Sequence, residues 1–211
     1  MDKNIEKYSI LDKFNVSRET YLDFETLISL ILVKNREINL ISKETELNIR
    51  ERHIIDSAQA VDFIDLNDNI CSDLGTGGGM PGVVLAIMMK NVNQAMKFKL
   101  YEKNHHKGSF LRDVSRTLNL NTEIIKKDVF KNKNLSSGTI IARAFKPLPI
   151  VLELIYKNFA NYKNLVLFMG KNGKQTLRDA FKQWNFEYKE KKSLTSEDSF
   201  LLNIKNIKKR N

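Results

Sequence analysis

The sequence predicts an α/β protein whose sheet is mainly parallel, with one late antiparallel strand and an extension of helices before the sheet. Three observations carry this prediction. From Ile70 onward, short apolar runs alternate with stretches of helical periodicity, as in doubly wound folds. A glycine-rich loop follows the first apolar run, where such folds bind ligands. The chain closes with two apolar runs that no helical stretch separates, which predicts a hairpin.

A helical extension is predicted for residues 1–66, ahead of a Rossmann-like domain of residues 67–211. Apolar residues recur at helical spacing over about residues 17–40, and Ser17 is suited to cap that helix. A second helix is predicted over about residues 44–64 on the same grounds. With 211 residues, the chain is long enough for one α/β domain and a small appendage, but short for two full domains.

Within the domain, strands and helices are predicted to alternate and then to give way to the hairpin. Predicted strands cover residues 70–73, 97–102, 122–127, 139–142 and 164–169, and predicted helices cover 81–89, 105–118, 147–159 and 173–183. The closing strands are predicted at 186–191 and 200–205, and their pairing makes one of them antiparallel to the rest of the sheet. A dinucleotide-binding sheet differs here, because its strands and helices continue to alternate.

The most informative motif is the glycine-rich loop, Asp73-Leu74-Gly75-Thr76-Gly77-Gly78-Gly79-Met80-Pro81-Gly82. Glycines leave no side chains in the way of a ligand, and Pro81 is suited to open a helix. Two cofactor classes compete for such a loop. Gly77, Gly79 and Gly82 satisfy the G-x-G-x-x-G pattern of dinucleotide-binding proteins, so an NAD(P)-dependent oxidoreductase is one candidate.

Asp73 favours the other class. A carboxylate at the mouth of the loop repels a pyrophosphate but attracts the ammonium and sulfonium groups of S-adenosylmethionine, which we therefore predict as the cofactor. Glu102 ends the second predicted strand, where a carboxylate accepts hydrogen bonds from the ribose hydroxyls of either cofactor. A capping or turn role for Asp73, with no ligand involved, is the alternative.

Composition indicates the kind of partner and surroundings. The formal net charge of +10 and a pI near 9.5 favour a polyanion such as nucleic acid, or a membrane surface, although a solvated basic face also fits. Cys71 is the single cysteine, residues 1–7 lack the apolar stretch of a signal peptide, and no segment has the roughly 18 uninterrupted apolar residues of a membrane span. We therefore expect a cytoplasmic protein. His105 and His106 have no third ligand nearby, so no metal is predicted.

Five short motifs, spread in order over most of the chain, resemble those of a bacterial family of small-subunit rRNA guanine-N7 methyltransferases called RsmG or GidB. They are Asn39-Leu40-Ile41-Ser42, Arg52-His53-Ile54-Ile55-Asp56-Ser57, the loop ending in Met80-Pro81-Gly82, Lys107 to Val114 with Phe110-Leu111-Arg112, and Ala142-Arg143-Ala144-Phe145. The resemblance implies a class I S-adenosylmethionine-dependent methyltransferase. Its implied substrate is guanine 527 in the 530 loop of 16S rRNA, as naked rRNA or within the small ribosomal subunit, and a monomer is expected.

The resemblance also implies roles for individual residues. Gly75 and Met80 match positions that contact the cofactor, Val129 and Phe130 fall where the family holds the adenine, and Arg143 falls near the methyl-transfer centre. The family shows an acid beside the adenine contact, and here Asp128 precedes Val129. With the residues chosen on the chemistry of the loop, the predicted cofactor-binding set is Asp73, Gly75, Thr76, Gly77, Gly79, Met80, Glu102, Asp128, Val129, Phe130 and Arg143.

Arg143 is also the predicted catalytic residue. N7 of guanine offers a lone pair with no proton to remove, so no general base is needed, and His53 is predicted to be a packed histidine. A hydrogen bond from arginine to N7 would block the reaction. We therefore predict contact of Arg143 with guanine O6, an rRNA phosphate or the cofactor carboxylate, with a strand-end salt bridge as the alternative. A non-catalytic RNA-binding protein for ribosome assembly is the remaining alternative for the whole chain.

Overall fold

The strands of the computed structural model follow the apolar runs of the sequence. The structure describes Tyr8, Leu11, Phe14 and residues 16–210, so residues 1–7, on which the signal-peptide prediction rests, lie outside it. The strands are β1 (Ile70–Leu74), β2 (Lys97–Tyr101), β3 (Thr122–Ile125), β4 (Leu135–Ser136), β5 (Thr139–Arg143), β6 (Phe159–Asn161), β7 (Asn164–Met169), β8 (Trp184–Lys192) and β9 (Phe200–Lys209).

Seven of these strands form one twisted layer in the order β3-β2-β1-β5-β7-β9-β8. Neighbours from β3 to β7 are parallel, and β9 runs antiparallel to both β7 and β8. The predicted hairpin and late antiparallel strand are confirmed, and both strands are longer than predicted. The strand order reverses between β1 and β5. Their carboxyl ends therefore flank the crevice in which open α/β sheets bind ligands.

The helices of the domain also agree with the sequence. In chain order the helices are α1 (Arg18–Asn35), α2 (Lys43–Glu46), α3 (Asp56–Ala58), α4 (Gly82–Met89), α5 (His105–Thr117), α6 (Leu148–Asn158) and α7 (Gly173–Ala180). Helices α4 to α7 confirm the four predicted ones. Every residue of α4 is buried, so this apolar helix packs in the core directly after the glycine-rich loop.

Helix α1 is capped as predicted but is shorter than predicted. The Ser17 hydroxyl accepts a hydrogen bond of 3.4 Å from the Thr20 amide. At the other end, the buried Asn35 side chain accepts from the amides of Leu40 and Ile41 at 2.7 and 3.0 Å and donates to the Ile41 carbonyl at 3.1 Å. These side-chain bonds satisfy the backbone of a turn, so the helix ends at Asn35 instead of near residue 40.

The single helix predicted over residues 44–64 is wrong. The segment consists of α2, a π-helical stretch (Arg50–Ile55), α3 and a 3₁₀ turn (Gln59–Phe63). Apolar spacing does not distinguish these helix types, because their periods are close over one or two turns. Tertiary contacts select among them here, and one is the Arg50–Glu25 ion pair between the π-helical stretch and α1.

Strands β4 and β6 form a second, two-stranded parallel sheet that the sequence did not predict. Strands of two and three residues are too short to show an alternation of apolar and polar side chains. Their effect is to bring the segment after β3 close to the end of α6, which bears on the site described below.

The helical extension packs on the sheet through a shared apolar core. The larger buried cluster joins Phe24, Leu27 and Ile31 of α1 to the residues of α4 and to Phe98 of β2. A second cluster joins α6 to the hairpin strands, with Trp184 of β8 among its largest members. A separate unit of residues 1–66 stays a prediction. In the part of the chain that the structure describes, no helix combines the length and apolarity that crossing a membrane requires.

Candidate functional site

A buried carboxylate fastens the glycine-rich loop. Asp73 is 1% exposed at the end of β1, and its Oδ2 accepts a hydrogen bond of 2.8 Å from the Gly82 amide at the start of α4. This contact joins the two ends of the loop and also fits the turn role that the sequence left open. The Oδ1 atom has no hydrogen-bond partner among the described residues. Burial raises the pKa of Asp73 to about 6, although the nearby Thr76 hydroxyl, the Gly82 amide and Arg143 oppose this effect.

Most glycines of the loop are closely packed, and the open space lies at Gly77. Gly75 has a φ of +71°, and a Cβ there would lie 2.5 Å from the ring of Phe145, so a side chain is excluded. At Gly77, the nearest atom to an added Cβ would be the Gly75 carbonyl oxygen at 3.9 Å. The buried Thr76 hydroxyl lies near enough to the Asp73 carboxyl to lower its pKa, but it makes no hydrogen bond within residues 16–210. The space at Gly77 and the unpartnered Oδ1 of Asp73 fit a polar cofactor such as S-adenosylmethionine.

Glu102 directly follows β2 and reaches the loop. Its Oε2 accepts from the Gly77 amide at 3.1 Å, and its Oε1 accepts from the Asn104 amide at 2.7 Å. An ionised carboxylate has about four acceptor positions, so Glu102 keeps capacity for ribose hydroxyls. The contact with ribose stays a prediction.

The residues predicted to hold the adenine form a 3₁₀ turn after β3. Asp128 Oδ1 accepts from the Phe130 amide at 3.0 Å and so caps this turn. Val129 is buried, whereas Phe130 is 38% exposed and stacks on Phe145 with ring centroids 6.1 Å apart. Because Phe145 also lies against Gly75, the two rings connect the turn to the loop. Which of these residues contact adenine stays a prediction.

Asn158, at the end of α6, holds the same turn through hydrogen bonds. Its buried side-chain amide donates toward the carbonyls of Val129, Phe130 and Asn132 at 3.2, 3.1 and 2.5 Å. These bonds satisfy carbonyl groups that the short turn leaves unpaired, so Asn158 sets the position of the Phe130 ring.

Met80 lies in the loop but its side chain packs into the apolar core, where it is 5% exposed. The structure therefore gives this side chain a packing role. A contact between Met80 and the cofactor stays a prediction.

Arg143 ends β5, next to β1, so it lies at the same edge of the sheet as the loop. Its Nη1 donates to Asp56 Oδ2 at 3.1 Å and to the Arg52 carbonyl at 3.3 Å, and its Nη2 lies 3.3 Å from His53 Nδ1. The Arg143 and Asp56 side chains are 18% and 20% exposed. The salt bridge that the sequence left as an alternative is therefore present. Contact of Arg143 with guanine, phosphate or cofactor stays a prediction.

His53 is packed between polar partners, as predicted. Its Nε2 lies 2.8 Å from Thr45 Oγ1, and its Nδ1 faces Arg143. Burial and the nearby charges of Arg143 and Arg52 lower the pKa of His53 to about 4. A neutral ring that accepts from Arg143 at Nδ1 carries its proton on Nε2 and donates it to Thr45. His53 thus helps to orient the guanidinium.

Ala144 lies between Arg143 and Phe145, whose side chains face different parts of the site. Its φ of +51° lies in the left-handed region, which is uncommon for residues other than glycine and is often found at functional sites. The turn at Ala144 directs Arg143 toward Asp56 and places Phe145 against Gly75. Arg143 therefore faces the N-terminal helical segment, and Phe145 faces the glycine-rich loop.

A cleft of about 540 Å³ opens beside Arg143. The N-terminal helices, the ends of β5 and β7 and the loop between β8 and β9 form its walls. Its lining includes the aromatic rings of Phe168 and Phe200 and the hydroxyls of Ser193, Ser196 and Ser199. The volume lies within the range of about 300–1,000 Å³ typical of small-molecule sites, and such a lining suits a flat, polar ring such as a nucleobase.

Metal-binding geometry is absent from the described residues: no three His, Cys, Asp or Glu side chains are grouped to hold an ion. His105 and His106 begin α5 and their rings contact each other edge to face.

Sequence reasoning missed several residues of the site. Asp56 and Phe145 belong to motifs that also contain His53 and Arg143, so their position in those motifs was a usable signal. Asn158 lies far along the sequence from the turn that it holds. Thr195, whose hydroxyl donates to Asp56, is likewise far from Asp56 in sequence. No local pattern marks either of them.

Gly82→Ala is expected to lower the free energy of unfolding by about 2 kcal/mol. The added Cβ would lie 2.5 Å from Leu100 Cδ2 and 2.7 Å from Asp73 Oδ2, both buried, so α4 would have to move away from β1. Urea denaturation followed by circular dichroism measures the change. Gly170→Ala is the matched control, because its Cβ would meet no atom within 4 Å. Equal losses in the two variants would contradict the close approach at Gly82.

Known proteins resemble this chain in sequence and in fold. Residues 21–202 match the GidB family model, described as rRNA small subunit methyltransferase G. A protein of Pelagibacter ubique named ribosomal RNA small subunit methyltransferase G is 56% identical to this chain over 100% of both chains. A protein of the same name from Orientia tsutsugamushi is 36% identical to it, over 91% of this chain and 93% of that protein. A crystal structure of a SAM-dependent methyltransferase from Aquifex aeolicus shares the fold, with a TM-score of 0.56, 14% identity, and coverage of 74% of this chain and 92% of the other.

Proposed function

Because the chain belongs to the rRNA small subunit methyltransferase G family, we propose that it transfers a methyl group from S-adenosylmethionine to N7 of a guanine in 16S rRNA. The target that the resemblance implies is guanine 527 of the 530 loop. One structural observation supports the proposal. The glycine-rich loop and Arg143 lie at the carboxyl ends of β1 and β5, where the strand order reverses. The oxidoreductase and the non-catalytic assembly protein have no comparable support.

The residues around the loop fit the proposed cofactor. The buried negative charge of Asp73 favours a cationic ligand, and Glu102 is placed to bind a ribose. The 3₁₀ turn with Val129 and Phe130 is proposed to hold the adenine beside the loop. When bound, S-adenosylmethionine supplies an electrophilic methyl group attached to a sulfonium sulfur.

The cleft beside Arg143 is proposed to take the guanine, with its base near Phe168, over whose ring the Arg143 guanidinium lies 6.0 Å from the centroid. With S-adenosylmethionine bound, the N7 lone pair would take its methyl group, and the electron pair of the broken carbon–sulfur bond would stay on the sulfur of the leaving S-adenosylhomocysteine. The base becomes positively charged, so an uncompensated arginine would oppose the reaction. Asp56 offsets the charge of Arg143, whose remaining N–H groups are then suited to guanine O6 or to a phosphate. Catalysis comes mainly from alignment of N7 with the methyl carbon.

The basic surface supports an RNA substrate. A net charge of +10 favours binding to a phosphate backbone through release of counterions. We propose that the chain acts in the cytoplasm, as a monomer, on 16S rRNA or on the small ribosomal subunit.

Affinity for S-adenosylmethionine is expected to rise as the pH is raised from about 5 to 7.5. The pKa of Asp73 is about 6 in the ligand-free protein, and a cation bound beside the carboxyl group lowers that pKa. Binding therefore releases a proton below pH 6, and affinity falls as the pH falls through that value. Isothermal titration calorimetry across this range tests the expectation. Asp73→Asn should bind with a flatter pH profile, and an identical profile in both proteins would contradict the assignment.

The proposed function is tested by mapping the modified base. The chain is incubated with methyl-labelled S-adenosylmethionine and either 16S rRNA or small subunits from cells that lack this modification. Label at N7 of a single guanine in the 530 loop is expected. Label at another base or atom, or no label on either substrate, would contradict the proposal.

A further inference from the structure

The loop between β8 and β9, residues 193–199, is held against the cleft by two residues of the N-terminal helical segment. Because β9 starts at Phe200, which pairs with Met169 at the end of β7, this loop lies at the same edge of the sheet as the carboxyl ends of β5 and β7. Ser193, Ser196 and Ser199 contribute to the lining of the cleft. The loop therefore forms one wall of the space beside Arg143.

Asp56 contacts both the loop and Arg143. Its Oδ2 accepts from Arg143 Nη1 at 3.1 Å, and its Oδ1 accepts from Thr195 Oγ1 at 2.8 Å and from Gln59 Nε2 at 2.9 Å. The carboxylate thus connects its own helical segment to the end of β5 and to the loop of residues 193–199. A shift of Asp56 would move the guanidinium and the loop together.

Gln59 provides the second attachment. Its side chain is fully buried, its Oε1 accepts from the Leu194 amide at 3.0 Å, and its Nε2 lies 3.3 Å from Ser193 Oγ. A buried carboxamide is costly unless its donors and acceptor are paired, and here the loop pairs them. These bonds consequently fix the loop against the helical segment.

We propose that Asp56 is a positioning residue of the substrate cleft, which orients Arg143 with one oxygen and, with Gln59, fixes the loop of residues 193–199 as a wall for the target base. The inference rests on the proposed function for the identity of the substrate. It adds that contacts within the chain itself hold this wall, which lowers the cost of ordering it when RNA binds.

Two variants separate the contact of Asp56 with Thr195 from its contact with Arg143. Thr195→Val removes the hydroxyl that donates to Asp56 and leaves the pair with Arg143 in place. Its KM for rRNA is expected to rise roughly three- to tenfold, the effect of one lost hydrogen bond, with kcat within about twofold of wild type. Asp56→Asn removes the charge that orients Arg143, and kcat is expected to fall roughly tenfold or more.

Asp62→Asn is the matched control. Asp62 pairs with Lys191 at 2.5 Å, so it also connects the helical segment to the hairpin, but neither residue lines the cleft. Its kinetics should equal those of wild type. A merely structural role of Asp56 and Thr195 would reduce the active fraction of enzyme and leave KM unchanged.

Hydrogen exchange gives a readout that does not depend on methylation. The amides of Leu194 and Thr195 are expected to exchange faster in Thr195→Val and Asp56→Asn than in wild type and in Asp62→Asn. Wild-type exchange and wild-type KM in Thr195→Val would overturn the proposal. If wild type itself methylates no rRNA, the proposed function fails, and exchange of the loop amides still decides whether Asp56 and Thr195 fix the loop.

Discussion

Arg143→Ala is expected to lower kcat for methylation of 16S rRNA or the small subunit by at least about a hundredfold. The guanidinium lies beside the cleft proposed for the guanine, and its position is set by Asp56, His53 and the Arg52 carbonyl. Loss of these contacts would leave the base without its oriented donor. Affinity for S-adenosylhomocysteine should change by less than about threefold, since the hydrogen bonds of the guanidinium are to Asp56, His53 and the Arg52 carbonyl of the helical segment. Single-turnover kinetics and calorimetry measure the two effects.

Stability is the main control for this variant. Removing Arg143 leaves the carboxylate of Asp56 without its ion-pair partner at 20% exposure, which costs about 1–2 kcal/mol of unfolding free energy. Arg143→Lys keeps the charge but loses the planar arrangement of donors, so it should recover stability without recovering kcat. Turnover of Arg143→Ala close to that of wild type would remove Arg143 from the catalytic site.

Asp73→Ala is expected to weaken the binding of S-adenosylmethionine roughly tenfold to a hundredfold, the range for loss of hydrogen bonds to a charged group. The variant removes the acceptor of the Gly82 amide and the buried charge beneath the loop. Calorimetric titration of wild type and variant gives the ratio of dissociation constants.

The matched control for Asp73 is Asp113→Ala. Asp113 is an acid of α5 whose side chain is 68% exposed, so its removal changes the net charge equally without touching the loop. This control should bind like wild type. Equal affinities of wild type and Asp73→Ala would contradict a role for the carboxylate in cofactor binding.

The fold was predictable because its signals are local. Apolar runs and turn residues gave the strands of the main sheet, the helices from α4 onward and the closing hairpin. The segment from residue 43 to residue 63 was not predictable in detail. Its helix types depend on pairs such as Arg50–Glu25 and Asp56–Arg143, which join segments distant in sequence.

The residues of the candidate site also differ in whether local sequence patterns identify them. The loop, Glu102 and Arg143 stand at strand ends, where spacing along the sequence is enough to find them. The side chains that hold them in place were not predictable from such spacing. Asn158 supports the turn with Phe130, and Thr195 supports Asp56, through contacts between residues 26 to 29 and 139 positions apart. Packing, and not a motif, selects these residues.

The loop starting at Asp73 is proposed to bind S-adenosylmethionine beside a guanine-binding cleft. A crystal structure of the chain with S-adenosylhomocysteine tests it most directly. The predicted result is ligand density along Gly75 to Gly79, with the ribose at Glu102, the adenine at the turn of Val129 and Phe130, and the sulfur facing the cleft of Arg143. A ligand bound elsewhere, or a loop that stays empty at saturating ligand, would contradict the claim.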